Sequence, residues 1–312
     1  MQRFFIFAVV ALVLIGCNNE MEAPRREIGF LSNVNRSIVN EVEQLYSGGE
    51  GIKLFGTVSL DGKIIRLFDA EKLYHSSSTG WVYDNTRYWV PQMEHRFCAI
   101  WPYNTNCTFS DNNASVSLNH TTSSNGADLL YAVATRNLAE NEDYSPVPIT
   151  LHHACAALQF SIINASDVTV SSVRDIYLVG LQDKGSFTFG VDGTANWTLS
   201  DSVVAATDKT TFGGNDLSNL AININKKNSL YEGGAILVLP QEIANKDVKF
   251  HLVFKKSNAN PEEKTIELGK LGGAAPTKWE AGKRYEYTLT VTENKIVSNV
   301  NIVPWVEHYV DL

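Results

Sequence analysis

The chain has 312 residues and a formal net charge of −8, and 44% of its residues are hydrophobic. This acidic balance argues against a protein that binds nucleic acid or docks on a membrane through a basic patch. The length exceeds what one hydrophobic core usually organises, so two domains of about 130 residues each are expected.

The first 17 residues have the pattern of a secretion signal. Arg3 precedes an unbroken apolar run at 4–15, which is followed by Gly16 and Cys17. A helix of that length spans about 18 Å, short of a hydrocarbon core of ~30 Å, so the run is interpreted as a signal peptide. Gly16 and Cys17 resemble the lipobox of bacterial lipoproteins, which implies cleavage before Cys17 and anchoring by acyl chains on it. The alternative is an ordinary signal peptide with an incidental cysteine.

The next elements are a polar segment followed by a hairpin. Residues 17–36 are polar and charged, and we interpret them as a lipidated tether or propeptide. Residues 37–46 fit either a short helix or an irregular strand. Alternation of apolar and polar residues at 52–60 predicts a half-buried strand. Asp61 and Gly62 favour a tight turn, so residues 63–68 are predicted as its hairpin partner.

Further strands are predicted at 81–90, 96–101 and 128–134. Residues 104–126 are rich in Asn, Ser and Thr, which is typical of a long exposed loop. Residues 141–148 are acidic and contain proline, and this stretch is the best candidate for a domain boundary.

The second half continues in short strands. One strand is predicted at 156–162, and a hairpin is predicted from 174–181 and 185–191 around residues 183–185. Residues 235–239 are apolar on both faces, as in a strand between two layers. Other strands are predicted at 196–199, 250–254, 285–291 and 296–310, the last kinked by Pro304.

Short strands separated by turn signals, without long amphipathic helices, predict an all-β protein of antiparallel sandwiches. The predicted division is a signal peptide at 1–16, a tether or propeptide at 17–36, an N-terminal domain at 37–147 and a C-terminal domain at 148–312. No cleft of the kind that parallel α/β sheets offer to cofactors is expected.

The sequence contains no HExxH zinc pair, GxSxG nucleophile motif, Walker phosphate loop or EF-hand loop. It therefore predicts a protein that is not an enzyme and has no cofactor or metal. The strongest metal candidate is a tetrahedral zinc site from His95 and Cys98 with His152, His153 and Cys155. Such a site requires the two stretches to meet, and histidines that head an apolar strand are more often hydrogen-bonded core residues.

Three cysteines follow Cys17. Cys98 and Cys107 enclose a short loop, so they either form a disulfide and leave Cys155 free, or all three remain unpaired thiols.

Several stretches spread over most of the chain carry a family resemblance. Besides the lipobox, they are 97–103 (FCAIWPY), 126–132 (GADLLYA), 151–160 (LHHACAALQF), 237–241 (LVLPQ), 279–291 (WEAGKRYEYTLTV) and 302–305 (IVPW). Together they resemble the fimbrillin-like family, the subunits of type V pili on Gram-negative anaerobic commensals. The resemblance implies two tandem transthyretin-like antiparallel β-sandwich domains.

The resemblance also implies an assembly mechanism. In that family a precursor strand near the N-terminus fills a groove, an arginine-specific protease removes it, and a strand of a neighbouring subunit takes its place. The corresponding cleavage candidates are Arg25, Arg26 and Arg36. Arg36 is preferred because it closely precedes the β-prone residues Ile38 and Val39.

The donor strand implied by the resemblance is 296–310, with Val300, Ile302 and Val306 as its apolar residues. The alternative is that this segment simply completes its own domain. Pro304 interrupts the alternation that a donor strand needs.

The function implied is that of an outer-membrane, surface-exposed lipoprotein that joins a fimbria as shaft, anchor or tip subunit and serves adhesion. Its partners are then other pilus subunits or copies of itself, the membrane through lipid on Cys17, and ligands on host or bacterial surfaces. The alternative is a monomeric glycan-binding lipoprotein for nutrient capture, which requires aromatic residues clustered on an exposed face. Tyr and Trp are instead spread over the strand faces, which favours core packing.

Overall fold

The computed structural model describes residues 25–34, 51–60, 63–76, 80–217, 226–271, 275–292 and 296–305. Their regular structure is almost entirely β-strand, which confirms the predicted all-β class. The helical structure within these ranges is a single 3-10 turn at Leu268–Lys270. None of the described segments forms a helix with the length and apolar character needed to cross a bilayer.

The described residues form twenty-one strands. In the first half they are β1 (Phe30–Val34), β2 (Ile52–Leu60), β3 (Lys63–Ser76), β4 (Gly80–Val82), β5 (Glu94–Trp101), β6 (Cys107–Ser110), β7 (Ser115–Thr121), β8 (Leu130–Asn137) and β9 (Val147–His153). In the second half they are β10 (Ala156–Asn164), β11 (Val170–Val179), β12 (Lys184–Gly190), β13 (Ala195–Leu199), β14 (Lys227–Ser229), β15 (Ile236–Val238), β16 (Gln241–Glu242), β17 (Lys249–Lys256), β18 (Glu262–Glu267), β19 (Lys278–Trp279), β20 (Lys283–Val291) and β21 (Ile296–Pro304).

The largest sheet has seven strands in the order β1-β9-β8-β5-β2-β3-β4. The first pair, β1 and β9, is parallel, and the others are antiparallel. The two edge strands, β1 and β4, nevertheless contact each other, so the sheet curls. It encloses a buried core that includes Ile28, Phe30, Phe68, Trp89 and Phe97.

A four-stranded sheet, β13-β12-β7-β6, covers the other face of the seven-stranded sheet. The core between them combines Cys98 and Ile100 of β5 with Val116 of β7 and Phe187 and Phe189 of β12. β12 and β13 follow the boundary predicted after residue 147, yet β12 pairs with β7, which precedes it. The division into two domains stays a prediction, and this sheet draws strands from both sides of it.

The remaining strands enclose the third core. β14, β10, β20 and β21 form one sheet, with β15 also paired to β10, and β11, β17 and β18 form the other. β16 and β19 pair separately. Phe160 stacks between Phe250 and Tyr287, with ring centroids 4.0 Å and 4.9 Å away. The antiparallel expectation fails for β10 and β20, which pair in parallel.

Most predicted strands are confirmed. Residues 52–60 and 63–68 pair as β2 and β3, and residues 235–239 contain β15, whose side chains enter two different cores. Predicted strands also coincide, within a few residues, with β5, β8, β10, β13, β17, β20 and β21. The strand predicted at 81–90 ends at Val82 in β4. Residues 37–46, the turn at 61–62 and residues 306–310 lie outside the described residues.

The long loop predicted at 104–126 is wrong, because this stretch contains β6 and β7. Phe109, Val116 and Leu118 alternate with Ser and Thr, and Phe109 stacks on Phe55 at 4.8 Å. The hydroxyl-bearing residues occupy the outer face of a sheet, where small polar side chains are as acceptable as in a loop.

The hairpin predicted from 174–181 and 185–191 is also wrong. β11 pairs with β17, whereas β12 pairs with β7 and β13. Gly180 follows β11 with a φ of +83°, and a Cβ atom there would lie 2.0 Å from the carbonyl oxygen of Asp247. Only glycine fits this close approach, at which the chain leaves one sheet for another.

Candidate strand-exchange site

The N-terminal segment is held at an edge of the seven-stranded sheet by backbone hydrogen bonds. Ile28 N donates to Arg87 O at 2.9 Å, and Trp89 N donates to Arg26 O at 3.0 Å. β1 then runs parallel to β9, in register from Phe30 opposite Val147 to Val34 opposite Leu151. Because β1 is an edge strand, its removal leaves the backbone groups of β9 unpaired on that side.

Two side chains of this segment are buried inside the curled sheet. Ile28 is 0% exposed and Phe30 is 3% exposed, while the neighbouring Leu31 is 55% exposed. The Phe30 ring meets Phe68, Tyr83 and Phe97 edge-on, at centroid distances of 5.6, 5.8 and 5.5 Å. Burial of an isoleucine or phenylalanine side chain contributes about 1.5–3 kcal/mol. The segment is therefore a plug in an apolar groove.

Tyr83 supports the plug from the wall of the groove. Its hydroxyl donates to Ile28 O at 2.7 Å. Burial raises the pKa of Tyr83 to about 12, so the hydroxyl keeps the proton that it donates.

Trp89, whose backbone pairs with Arg26, packs against His95. Val90 N donates to His95 Nε2 at 3.1 Å, and the opposite ring nitrogen, Nδ1, donates to Met93 O at 3.2 Å. The Trp89 ring lies edge-on to the imidazole at 4.8 Å. His95 is 0% exposed, and burial lowers its pKa to about 4, which keeps Nε2 free to accept. The histidine proposed as a zinc ligand thus orders the stretch that pairs with the N-terminal segment.

β1 itself lies inside the stretch predicted as a tether. The available signal is the spacing of Ile28 and Phe30, which places both side chains on one face of an extended chain. This pattern of two apolar residues is too short to predict a strand. It also gives no sign of the partner, which lies 117 positions away in the register Phe30↔Val147.

The arginine candidates are distributed on both sides of β1. Arg25 and Arg26 precede it and are exposed, and the Arg26 guanidinium lies 4.2 Å from the centre of the Tyr144 ring. Arg36 follows β1 by two residues and lies outside the described residues, as does Cys17.

The donor candidate pairs with its own chain. β21 is antiparallel to β20 over nine residue pairs, from Lys283 opposite Pro304 to Val291 opposite Ile296. Val300 is half-buried against the third core, and Ile302 is 44% exposed. Val306 lies outside the described residues. In this state the segment completes its own sheet, and its donation to a neighbour stays a prediction.

The cysteines and histidines of the zinc hypothesis are not brought together as a metal site. Among the described residues, no group of three or more His, Cys, Asp or Glu side chains is arranged to hold a metal. None of Cys98, Cys107 and Cys155 forms a disulfide in this structure. Cys98 Sγ donates to Ala114 O at 3.0 Å, and burial raises its pKa to about 12.

Exposed aromatic residues bear on the glycan-binding alternative. Of the large hydrophobic side chains that the described residues expose, the only aromatic one is Tyr88, at 43%. A surface cleft of about 370 Å³ is lined by Gln92 and residues 138–142, and another of about 280 Å³ is lined by Ser186 and residues 106–108 and 117–119. None of these residues offers an aromatic ring for stacking on a sugar.

Comparison with known structures matches this fold to proteins of Bacteroides. A fimbrial protein of Bacteroides vulgatus superposes with a TM-score of 0.60 at 15% identity, covering 90% of this chain and 100% of that one. A candidate cell adhesion protein of Bacteroides ovatus gives 0.55 at 16% identity, covering 92% and 100%. One of Bacteroides uniformis gives 0.53 at 16% identity, covering 91% and 98%. At such identities these likenesses establish the fold alone.

Comparison with curated proteins gives no significant match. The sequence model of the fimbrillin-like family, in contrast, matches residues 41–305, which is most of the chain. It begins after β1 and spans the strands that form the groove and the other two cores. The chain therefore belongs to the fimbrillin-like family.

Proposed function

We propose that this protein is a structural or accessory subunit of a cell-surface fimbria, assembled by strand exchange and serving adhesion. The observation that carries the proposal is the N-terminal plug: an edge strand whose Ile28 and Phe30 side chains fill an apolar groove. Support also comes from family membership and from the fimbrial and adhesion descriptions of the structural neighbours.

The position of the arginines decides which cut empties the groove. A cut after Arg25 or Arg26 leaves β1 attached to the chain, because both residues precede it. A cut after Arg36 separates β1 from everything that follows. It also separates the folded chain from the lipid on Cys17, so activation and release from the anchor become one event.

The emptied groove is unstable in water. Its apolar lining, including Phe68, Tyr83 and Phe97, loses the Phe30 ring, and β9 loses its partner. A strand from a neighbouring subunit restores both the buried area and the hydrogen bonds. We assign the donor role to the C-terminal segment, with Val300, Ile302 and Val306 as the side chains that enter the groove.

The proposed place of action is the cell surface. The precursor is delivered to the outer membrane through Cys17, and its partners are other pilus subunits or copies of itself. Ligands on host or bacterial surfaces follow from an adhesive role. The net charge of −8 gives no support to a nucleic-acid partner.

The test is treatment of the purified precursor with an arginine-specific protease, followed by sizing and N-terminal sequencing. The expected product begins at Ser37 and forms a ladder of heat-resistant oligomers. Arg36→Gln is expected to remain monomeric, whereas the matched control Arg26→Gln, which alters an exposed arginine before β1, behaves as wild type. Clean cleavage after Arg36 that yields only monomers contradicts the proposal.

A further inference from the structure

The last described residue of the C-terminal segment, Trp305, makes a close aromatic contact with His153. Trp305 follows β21 directly and is 8% exposed. Its indole ring stacks face to face on the imidazole of His153, with centroids 3.7 Å apart and planes 5° from parallel. The backbone N–H of Trp305 donates to Gly282 O at 3.2 Å.

The imidazole of His153, on which Trp305 stacks, is held in place by Asp128. His153 Nδ1 donates to a carboxylate oxygen of Asp128, and the other oxygen of Asp128 accepts from Leu129 N at 2.8 Å. Asp128 is 0% exposed and His153 is 5% exposed. A carboxylate that orients a histidine in this way fixes the plane of the ring, so the platform for Trp305 is set by the fold around β8 and β9.

The platform lies on the strand that also holds the N-terminal plug. His153 is the last residue of β9, and β9 pairs with β1 up to Leu151. Two residues along a strand correspond to about 7 Å. One strand therefore carries the plug along most of its length and the anchor of the C-terminal segment at its end.

No side chain at 296–303, where the structure describes burial, is buried comparably. Val300 is half-buried, and Val297 and Ile302 are 42% and 44% exposed. The backbone pairs of β21 with β20 can open from an end, as edge strands do, unless that end is fixed. Trp305 fixes the end that leads to the proposed donor residue Val306.

We propose that Trp305, seated on His153, is a latch that keeps the donor segment on its own chain until β1 is removed. The latch regulates the proposed strand exchange and therefore rests on it. Loss of β1 frees one side of β9, loosens its end at His153 and releases Trp305. The segment is then available to a neighbouring subunit only after the groove of its own chain has been opened.

The latch is tested first in the uncut full chain, by hydrogen–deuterium exchange of peptides covering 296–305. Trp305→Ala is expected to speed exchange in β21 on the order of tenfold or more. The matched control Ile302→Ala, which shortens an exposed side chain of the same strand, is expected to change it less than about twofold. Equal exchange in the two variants overturns the latch.

Trp305→Leu is the second variant, for the case in which the Trp305→Ala chain does not fold. It keeps apolar volume but not the flat ring, so its β21 exchange is expected to lie between those of wild type and Trp305→Ala, and exchange equal to wild type overturns the stack as the latch.

The second measurement is the rate of oligomer formation after cleavage. The cut Trp305→Ala chain is expected to form oligomers on the order of tenfold faster than the cut wild type, and equal rates overturn control of release by Trp305. The two proposals fail separately. Absence of oligomers from every cut chain defeats strand exchange, whereas unchanged exchange of β21 with normal oligomers defeats the latch alone.

Discussion

The two edge strands β1 and β21 are held in opposite ways. β1 has five residue pairs with β9 but is accompanied by two almost fully buried side chains, Ile28 and Phe30. β21 has nine residue pairs with β20, while its apolar side chains at 296–303 are half-buried or exposed and the following Trp305 is buried. Side chains retain the first strand, and backbone pairing with one terminal anchor retains the second.

This difference bears on which strand is cut and which is exchanged. Backbone hydrogen bonds lost from one sheet are regained in another, so a strand held mainly by them moves between sheets at little net cost. Buried side chains are specific to their groove, and their loss leaves a cavity that must be refilled. β1 is thus suited to irreversible removal and β21 to donation.

The largest expected effect comes from the plug. Phe30→Ala is expected to lower the free energy of unfolding of the uncut chain by about 3–5 kcal/mol, because it empties a site among three aromatic rings. Urea denaturation provides the measurement. Leu31→Ala, at an exposed position of the same strand, should stay within about 0.5 kcal/mol of wild type. Equal effects at the two positions would refute retention by side chains.

The pH dependence of the free energy of unfolding tests the contribution of His95, which lies beside the stretch that pairs with the N-terminal segment. His95 has a folded-state pKa of about 4, below the ordinary 6.5, so the unfolded chain binds a proton in this interval that the folded chain excludes. The free energy of unfolding should therefore fall as pH falls from about 6.5 to about 4, by up to about 3 kcal/mol from this residue.

The measurement for His95 is the difference in unfolding free energy between wild type and His95→Gln at several pH values. Glutamine retains a hydrogen-bond acceptor but does not titrate. The advantage of wild type should shrink between pH 6.5 and pH 4. A difference that is independent of pH would show that His95 does not remain neutral in the folded chain.

Tyr83→Phe removes one hydrogen bond from the plug and keeps the ring. The expected loss is about 1 kcal/mol, because Ile28 O loses its donor in a partly buried site. Tyr88→Phe, which removes the hydroxyl of an exposed tyrosine, serves as the control and should have no measurable effect. Denaturation of both variants in parallel checks this expectation.

The smallest effects are expected in β21. Val300→Ala should lower the free energy of unfolding by about 1 kcal/mol, since Val300 is packed against the third core, and Ile302→Ala should change it by less than about 0.5 kcal/mol. A loss at Ile302 as large as that at Phe30 would erase the contrast between the two strands. The same denaturation assay ranks all of these variants.

Much of the fold was predictable because most strands have a local signal. Alternation identified β2 and β3 as a hairpin, and the doubly apolar stretch around β15 was correctly placed between two layers. Prediction failed where a strand has a hydroxyl-rich outer face, as in β6 and β7, and where a turn signal did not join neighbouring strands, as between β11 and β12. Local composition describes the faces of a strand and not the identity of its partner.

The candidate site was predictable only in outline. Family resemblance pointed to the N-terminal arginines and to the C-terminal strand, but β1 was hidden in a polar segment. The apolar groove that holds β1 is lined by Phe68, Tyr83 and Phe97, which lie on separate stretches of the chain. His153 and Trp305 are separated by most of the second half, and nothing in either local pattern marks the other as its stacking partner.

The sequence by itself determined the all-β class, the positions of most strands and the family, since each of these depends on local periodicity or short packing motifs. Only the tertiary structure decided that β12 joins β7, that β10 and β20 run in parallel, and that β9 binds β1 along its length and Trp305 at its end. The reason is that backbone hydrogen bonds are the same for every strand. Partner and register are selected by side chains from distant segments that become buried together.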